Sequence, residues 1–143
     1  MIIPDVNLLI YAYTTKNNFH LEARKWWEST LIQGEAVGIP WFVLFGFWRI
    51  LTNRLVIEPP LSIAQVSRMS DEWFSFENVR PLEPGPRHYE IFKGLLTKLE
   101  IGGNLVSDAH LAALAIEHSC TLYSNDRDFD RFPALRWKNP LGK

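Results

Sequence analysis

The chain has 143 residues, 47% of them apolar and 22% charged, with a formal net charge of −1. That length and balance fit one compact domain, residues 1–143, with a substantial core, and the near-neutral charge excludes the basic excess of a nonspecific nucleic-acid binder. No apolar run reaches the length of a membrane span and no basic segment precedes MIIPDVNLLIYAY, so a cytoplasmic location is expected; the single Cys120 has no partner for an internal disulfide.

MIIP reads as a strand that ends at Asp5. VNLLIYAYTT follows as a short helix with Leu8, Leu9 and Ala12 at helical spacing, and Asn17 and Asn18 break it. HLEARKWWESTLIQ is a second helix, with Phe19, Ala23, Trp26, Trp27 and Leu31 expected on its inner face and Gly34 at its end. AVGI is a strand. Pro40 opens WFVLFGFWRILTN, a helix apolar almost all round until Arg49, which implies a central position or a face covered by a partner. The apolar helix Trp41–Leu51 and the tryptophans of the second helix exceed what a core of this size obviously needs, and Trp is a common interface anchor, so part of this surface is expected to receive a docked segment, with Trp48 as its anchor.

LVIEPPL reads as a loop, and Ser62 caps the amphipathic helix SIAQVSRMSDEWF. NVRPLEPGP is a strand with a Pro/Gly turn. RHYEIFKGLLTKLEI is helical, with Tyr89, Phe92, Leu95, Leu96 and Leu99 facing inward. Asn104 reads as the N-cap of LVSDAHLAALAIEH, a mostly buried helix with Asp108 near its start, where the helix dipole favours a carboxylate. CTLYS is a strand, the turn after it carries Asp126, Asp128 and Asp130, and ALRWKNPL is a last strand. Strands alternate with helices throughout, so the fold class is α/β with a mostly parallel sheet.

Each acid alone has an ordinary reading: Asp5 as a cap, Asp108 at a helix start, Asp126 and Asp128 in a turn. Together they are more informative. In a parallel sheet the loops after the strands share one edge, so Asp5 and Asp126 can meet there, with Asp108 joining them. Crowded carboxylates raise each other's pKa unless a cation compensates. Oxygen donors without a Cys or His set favour Mg²⁺ or Mn²⁺, and such an ion serves phosphodiester hydrolysis. His20, His88, His110 and His118 lack metal-ligand spacing, though His88 or His110 could line the groove. Arg49 and Arg127 are the expected phosphate contacts, because each belongs to an element near the acidic edge.

DVNLLIYAY after an N-terminal strand, GNLVSDAHLAALAIEH and LYSNDRDFDRFPALRWKNPL together resemble the PIN domain, and more closely the VapC-type toxins of toxin–antitoxin pairs. The resemblance covers nearly the whole chain. It implies a three-layer α/β/α fold and a metal-dependent endoribonuclease that acts on RNA, usually as a homodimer, and is neutralised by a small antitoxin. Asp5, Asp108 and Asp126 match the catalytic and metal-binding acids, Asp128 an auxiliary acid, and Asn7, Asn104 and Ser124 the supporting polar positions. One position departs: Gly46 stands in LFGFWR where the family commonly carries a glutamate. That departure keeps a second reading open, a PIN-like module that binds RNA or protein without cutting.

Overall fold

The structure, a computed structural model, describes residues 1–142; Lys143, the last residue of the expected domain, lies outside the described residues. The elements in order are β1 (Ile2–Pro4), α1 (Val6–Tyr13), α2 (His20–Gln33), β2 (Val37–Pro40), α3 (Trp41–Leu51), α4 (Ile63–Ser75), β3 (Val79–Leu82), α5 (His88–Leu99), α6 (Leu105–Glu117), β4 (Thr121–Tyr123) and β5 (Arg136–Lys138), with a 3₁₀ turn at Arg127–Arg131.

The strands form one sheet in the order β3-β2-β1-β4-β5, and all four pairings are parallel. Ile2 stands opposite both Val37 and Thr121. A parallel sheet needs cover on both faces, and its strands here are short and apolar: Ile3, Val37, Ile39 and Leu122 are fully buried. Right-handed crossovers assign the helices. The chain steps from β1 to β2 to β3 in one direction, which puts α1–α4 on one face. It then crosses back to β4, which puts α5 and α6 on the other. The result is the expected α/β/α sandwich. Progress reverses beside β1, so the C-terminal ends of β1 and β4 flank a switch point where such sheets bind ligands. Asp5 and Ser124 sit at those two ends.

Several helix boundaries follow local chemistry. Ser62 and Gln65 form a reciprocal capping box, Ser62 Oγ accepting from the Gln65 N–H at 3.1 Å and Gln65 Oε1 from the Ser62 N–H at 2.8 Å. Gly34 ends α2 at φ 87°, a left-handed conformation that glycine adopts without steric cost. No helix is long and apolar enough to cross a membrane among the described residues.

Four expectations are corrected. Asn104 precedes α6, but its backbone is already helical (φ −62°, ψ −21°) and its side chain makes no cap bond. The Leu105 and Val106 N–H groups bond to the Gly102 and Gly103 carbonyls instead, at 3.2 and 3.1 Å. Tyr89 is 63% exposed, because His88, stacked on Phe92, takes the inward place one residue earlier. Phe19 is exposed at the start of α2 and rests on Tyr11. The tryptophans of α2 are used internally. Trp27 is fully buried, edge-on to Trp73, and Trp26 stacks on Tyr123. Trp48 is half-buried, its indole N–H donating to Ser70 Oγ at 2.8 Å, and it lines an apolar groove on α3 with Trp41, Leu44 and Phe45.

Candidate active site

Asp5 closes β1 and opens α1. Its backbone N–H donates to the Tyr123 carbonyl at 2.8 Å, which ties it to the end of β4. Its extended backbone (φ −78°, ψ 156°) lets the side chain turn back as a cap, Oδ1 accepting from the Val6 N–H at 2.7 Å. Oδ2 accepts from the Ser124 hydroxyl at 2.7 Å. Asp5 is therefore both cap and site residue.

Ser124, fully buried, is the hub. Besides donating to Asp5, its Oγ accepts from the Asp126 N–H at 3.0 Å and from Asn7 Nδ2 at 3.3 Å. Asp126 Oδ1 accepts from the Asp128 N–H at 2.9 Å and starts the 3₁₀ turn. Asp108 projects from the first turn of α6, half-buried. Asp108, Asp126 and Asp128 each bring a carboxylate oxygen within 4.8 Å of the other two. Asp5 is not one of that trio. It lies deeper, 8% exposed, and its charge acts on Asp108 across the site.

The electrostatics report crowding. Burial, then repulsion from Asp126, Asp5 and Asp128, pushes the Asp108 carboxyl up to about 6. Burial also raises Asp5, against the pull of its hydrogen bonds from Ser124 and Val6, and Asp126 adds to the rise. Three hard oxygen donors at this spacing suit a single divalent cation. A second observation agrees: Asn7 Oδ1 is buried without a hydrogen-bond partner, on a side chain that already bonds the hub serine. The residues present fit a divalent metal.

The remaining expected residues divide. Arg127 is exposed between Asp126 and Asp128. Arg49 lies in the last turn of α3 with its guanidinium 5.9 Å from the Phe45 ring centroid, and bonds none of the acids. Asn104 is exposed and makes no side-chain bond to the acid cluster among the described residues. His88 and His110 bond each other, Nε2 to Nδ1 at 3.1 Å, and burial holds both below the usual imidazole range. At Gly46 an added Cβ would meet only Val6, its Cγ2 at 3.5 Å, next in sequence to Asp5. Two contacts escape sequence reasoning. Arg131 Nε lies 3.9 Å from Asp128 Oδ1, and Trp137 Nε1 donates to the Ser124 carbonyl at 3.0 Å. The first has a legible signal in its three-residue spacing on a helical turn. The second depends on the register of β5 beside β4.

Comparison with known proteins agrees with this geometry. The PIN domain family model matches residues 2–135. The chain is 43% identical over 141 residues to "Ribonuclease VapC33" of Mycobacterium tuberculosis, covering 99% of each, and 36% identical over 140 residues to "Ribonuclease VapC37" of the same organism, covering 98% of this chain and 97% of that one. Among solved structures it is similar to VapBC2 from Rickettsia felis bound to a promoter DNA fragment, with a TM-score of 0.70 at 21% identity over 97% of this chain and 98% of that one. It is also similar in fold to M. tuberculosis VapC20, described as a sarcin-ricin loop cleaving toxin, with a TM-score of 0.65 at 18% identity over 95% and 99% of the two chains.

Proposed function

We propose that this chain, which belongs to the PIN-domain family and within it to the VapC ribonucleases, is a Mg²⁺- or Mn²⁺-dependent endoribonuclease, the toxin of a toxin–antitoxin pair in the cytoplasm. The observation that carries the reading is the trio Asp108, Asp126 and Asp128 within 4.8 Å, joined to Asp5 through Ser124. Asp108, Asp126 and Asp128 would hold the metal, with Asp5 adjoining. When bound, such an ion activates water and offsets charge on phosphate oxygens.

The chain's own residues do the rest. Ser124 fixes Asp5 and Asp126 relative to each other with one oxygen. Asn7 supports that serine through Nδ2, its own Oδ1 buried and unpartnered. Arg127, exposed between two acids, is placed for an RNA phosphate. The aromatic face of α3, with Trp41 51%, Phe42 43% and Phe45 65% exposed, supports protein contacts, either the antitoxin or a second copy in a homodimer. The test is cleavage of RNA by the purified chain with Mn²⁺ or Mg²⁺. Cleavage that stops on chelation and returns with the metal is expected; cutting undiminished by the chelator overturns the reading.

Gly46 favours the second reading, a module that binds without cutting. An added Cβ there would meet only Val6, in ordinary van der Waals contact, which makes the position testable. Gly46→Glu adds a carboxylate on the side of Val6, so it is expected to tighten Mn²⁺ binding in calorimetric titration without RNA. Replacing a mid-helix glycine removes a cost of about 1 kcal/mol relative to alanine, so α3 tolerates the change in backbone terms. Equal affinities in a folded variant would show that position 46 does not face the metal.

A further inference from the structure

We propose that Trp137 is a positioning residue: with the C-terminal segment Arg136–Leu141 it sets the spacing of the acid cluster by fixing Ser124. This rests on the metal reading above, which assigns Trp137 no part.

Ser124 is gripped from the β5 side at both of its peptide groups. Its N–H donates to the Lys138 carbonyl at 3.0 Å, and its carbonyl accepts the Trp137 indole N–H at 3.0 Å. Parallel pairing puts Trp137 opposite Leu122 and so within reach of that carbonyl. The next residue is held as well. Asn139 Nδ2 donates to Asn125 Oδ1 at 3.0 Å, and Asn139 Oδ1 accepts the Leu141 N–H at 3.0 Å. Leu141, 4% exposed, anchors the segment in the core.

β5 is a three-residue edge strand paired only to β4, the kind of element that opens most readily. The indole bond adds a side-chain tie to that short ladder. A tryptophan present only to fill space has no need to place its N–H on one chosen carbonyl. This one bonds the residue whose hydroxyl joins Asp5 Oδ2 to the Asp126 N–H. If Ser124 shifts, Asp5 loses its donor, Asp126 loses its acceptor, and the carboxylates separate.

The test is a double-mutant cycle on Mn²⁺ affinity, measured calorimetrically without RNA in the parent, Trp137→Phe, Ser124→Ala and the double variant. Phenylalanine keeps a ring and removes the N–H. Groups that orient metal ligands are worth roughly 10–100-fold in affinity, and Trp137, one step further out, is expected at the low end, about tenfold. In the Ser124→Ala background the same change is expected to cost little more, since it acts through the hydroxyl that is gone. The metal-free Tm of Trp137→Phe falls as well, because a buried carbonyl loses its donor; a merely structural role gives that fall with no loss of Mn²⁺ affinity. Equal affinity in a folded Trp137→Phe overturns the proposal, and so do single effects that multiply fully in the double variant. A parent that takes up no Mn²⁺ overturns both this inference and the metal reading. Should Trp137→Phe fail to fold, Asn125→Ala breaks the same segment from the other side: weaker Mn²⁺ binding is expected, and parental affinity overturns it.

Discussion

Asp5→Asn is expected to abolish RNA cleavage while leaving the fold in place. Asparagine keeps an oxygen to accept the Val6 N–H, so the α1 cap survives. The partner on the other side, Ser124 Oγ, already accepts from the Asp126 N–H and from Asn7 Nδ2, so it can take the new amide only if Asn7 turns its unpartnered Oδ1 to accept the Ser124 hydroxyl. The structural loss is therefore small, and it is offset because burial holds the Asp5 carboxyl above its ordinary range, so ionising it costs stability that asparagine does not incur. Function is another matter. The lost charge is one of four around a polyvalent centre and the one fixed most rigidly by internal bonds. Removing a single preorganised group from such a site commonly costs about 10² to 10³ in rate. Expressed in cells, the variant should no longer arrest growth. A purified, folded Asp5→Asn that cuts RNA at the parental rate would remove Asp5 from the chemistry.

The placement of these acids was legible for a topological reason. Asp5 and Asp126 each follow a short apolar run, and alternation of strands with helices forces the ends of those runs to one edge. Asp108 was legible because the helix that leads into β4 must begin at that same edge. What escaped was set by contacts far apart in sequence. The Asp5–Ser124 and Asn7–Ser124 bonds join residues 119 and 117 positions apart. No periodicity reveals that Asp5 is drawn inward by them, leaving Asp128 in the close trio. Residue type misled at Asn104, where two glycine carbonyls already occupy the first amides of α6. An all-round apolar helix could not show which face was outward, and the Trp48 bond to Ser70 that sets this residue half inside is a tertiary contact. His88 displaced Tyr89 from the α5 stripe because it bonds His110, a tertiary fact.

Asp108→Asn is expected to stabilise the metal-free protein at neutral pH and to destabilise it relative to the parent once Mn²⁺ is added. The carboxyl titrates at about 6 in the fold against 3.8 for an unperturbed aspartate. A raised pKa means the folded state prefers the protonated form. The penalty of ionised Asp108 is thus fully present above about pH 6, declines between about 6 and 3.8, and is gone below that range. One pKa unit is 1.36 kcal/mol, but the side chain is partly exposed, and solvent screening cuts the penalty to roughly 1–2 kcal/mol. For a chain of this length that corresponds to a rise in Tm of about 3–8 °C in the variant at pH 7.5. His88 and His110 titrate low and oppose this trend on acidification, but they are common to both proteins and cancel in the difference. Saturating Mn²⁺ reverses the order. A ligand at 100 times its Kd stabilises the folded state by about 2.7 kcal/mol, and the parent gains this while the variant, short of one acid in the trio, gains much less. Thermal melts of both proteins from pH 4 to 8, with and without Mn²⁺, decide the matter. A parent as stable as Asp108→Asn at pH 7.5 without metal would mean that the acids do not strain one another. An order that Mn²⁺ leaves unchanged would mean that Asp108 does not hold the ion.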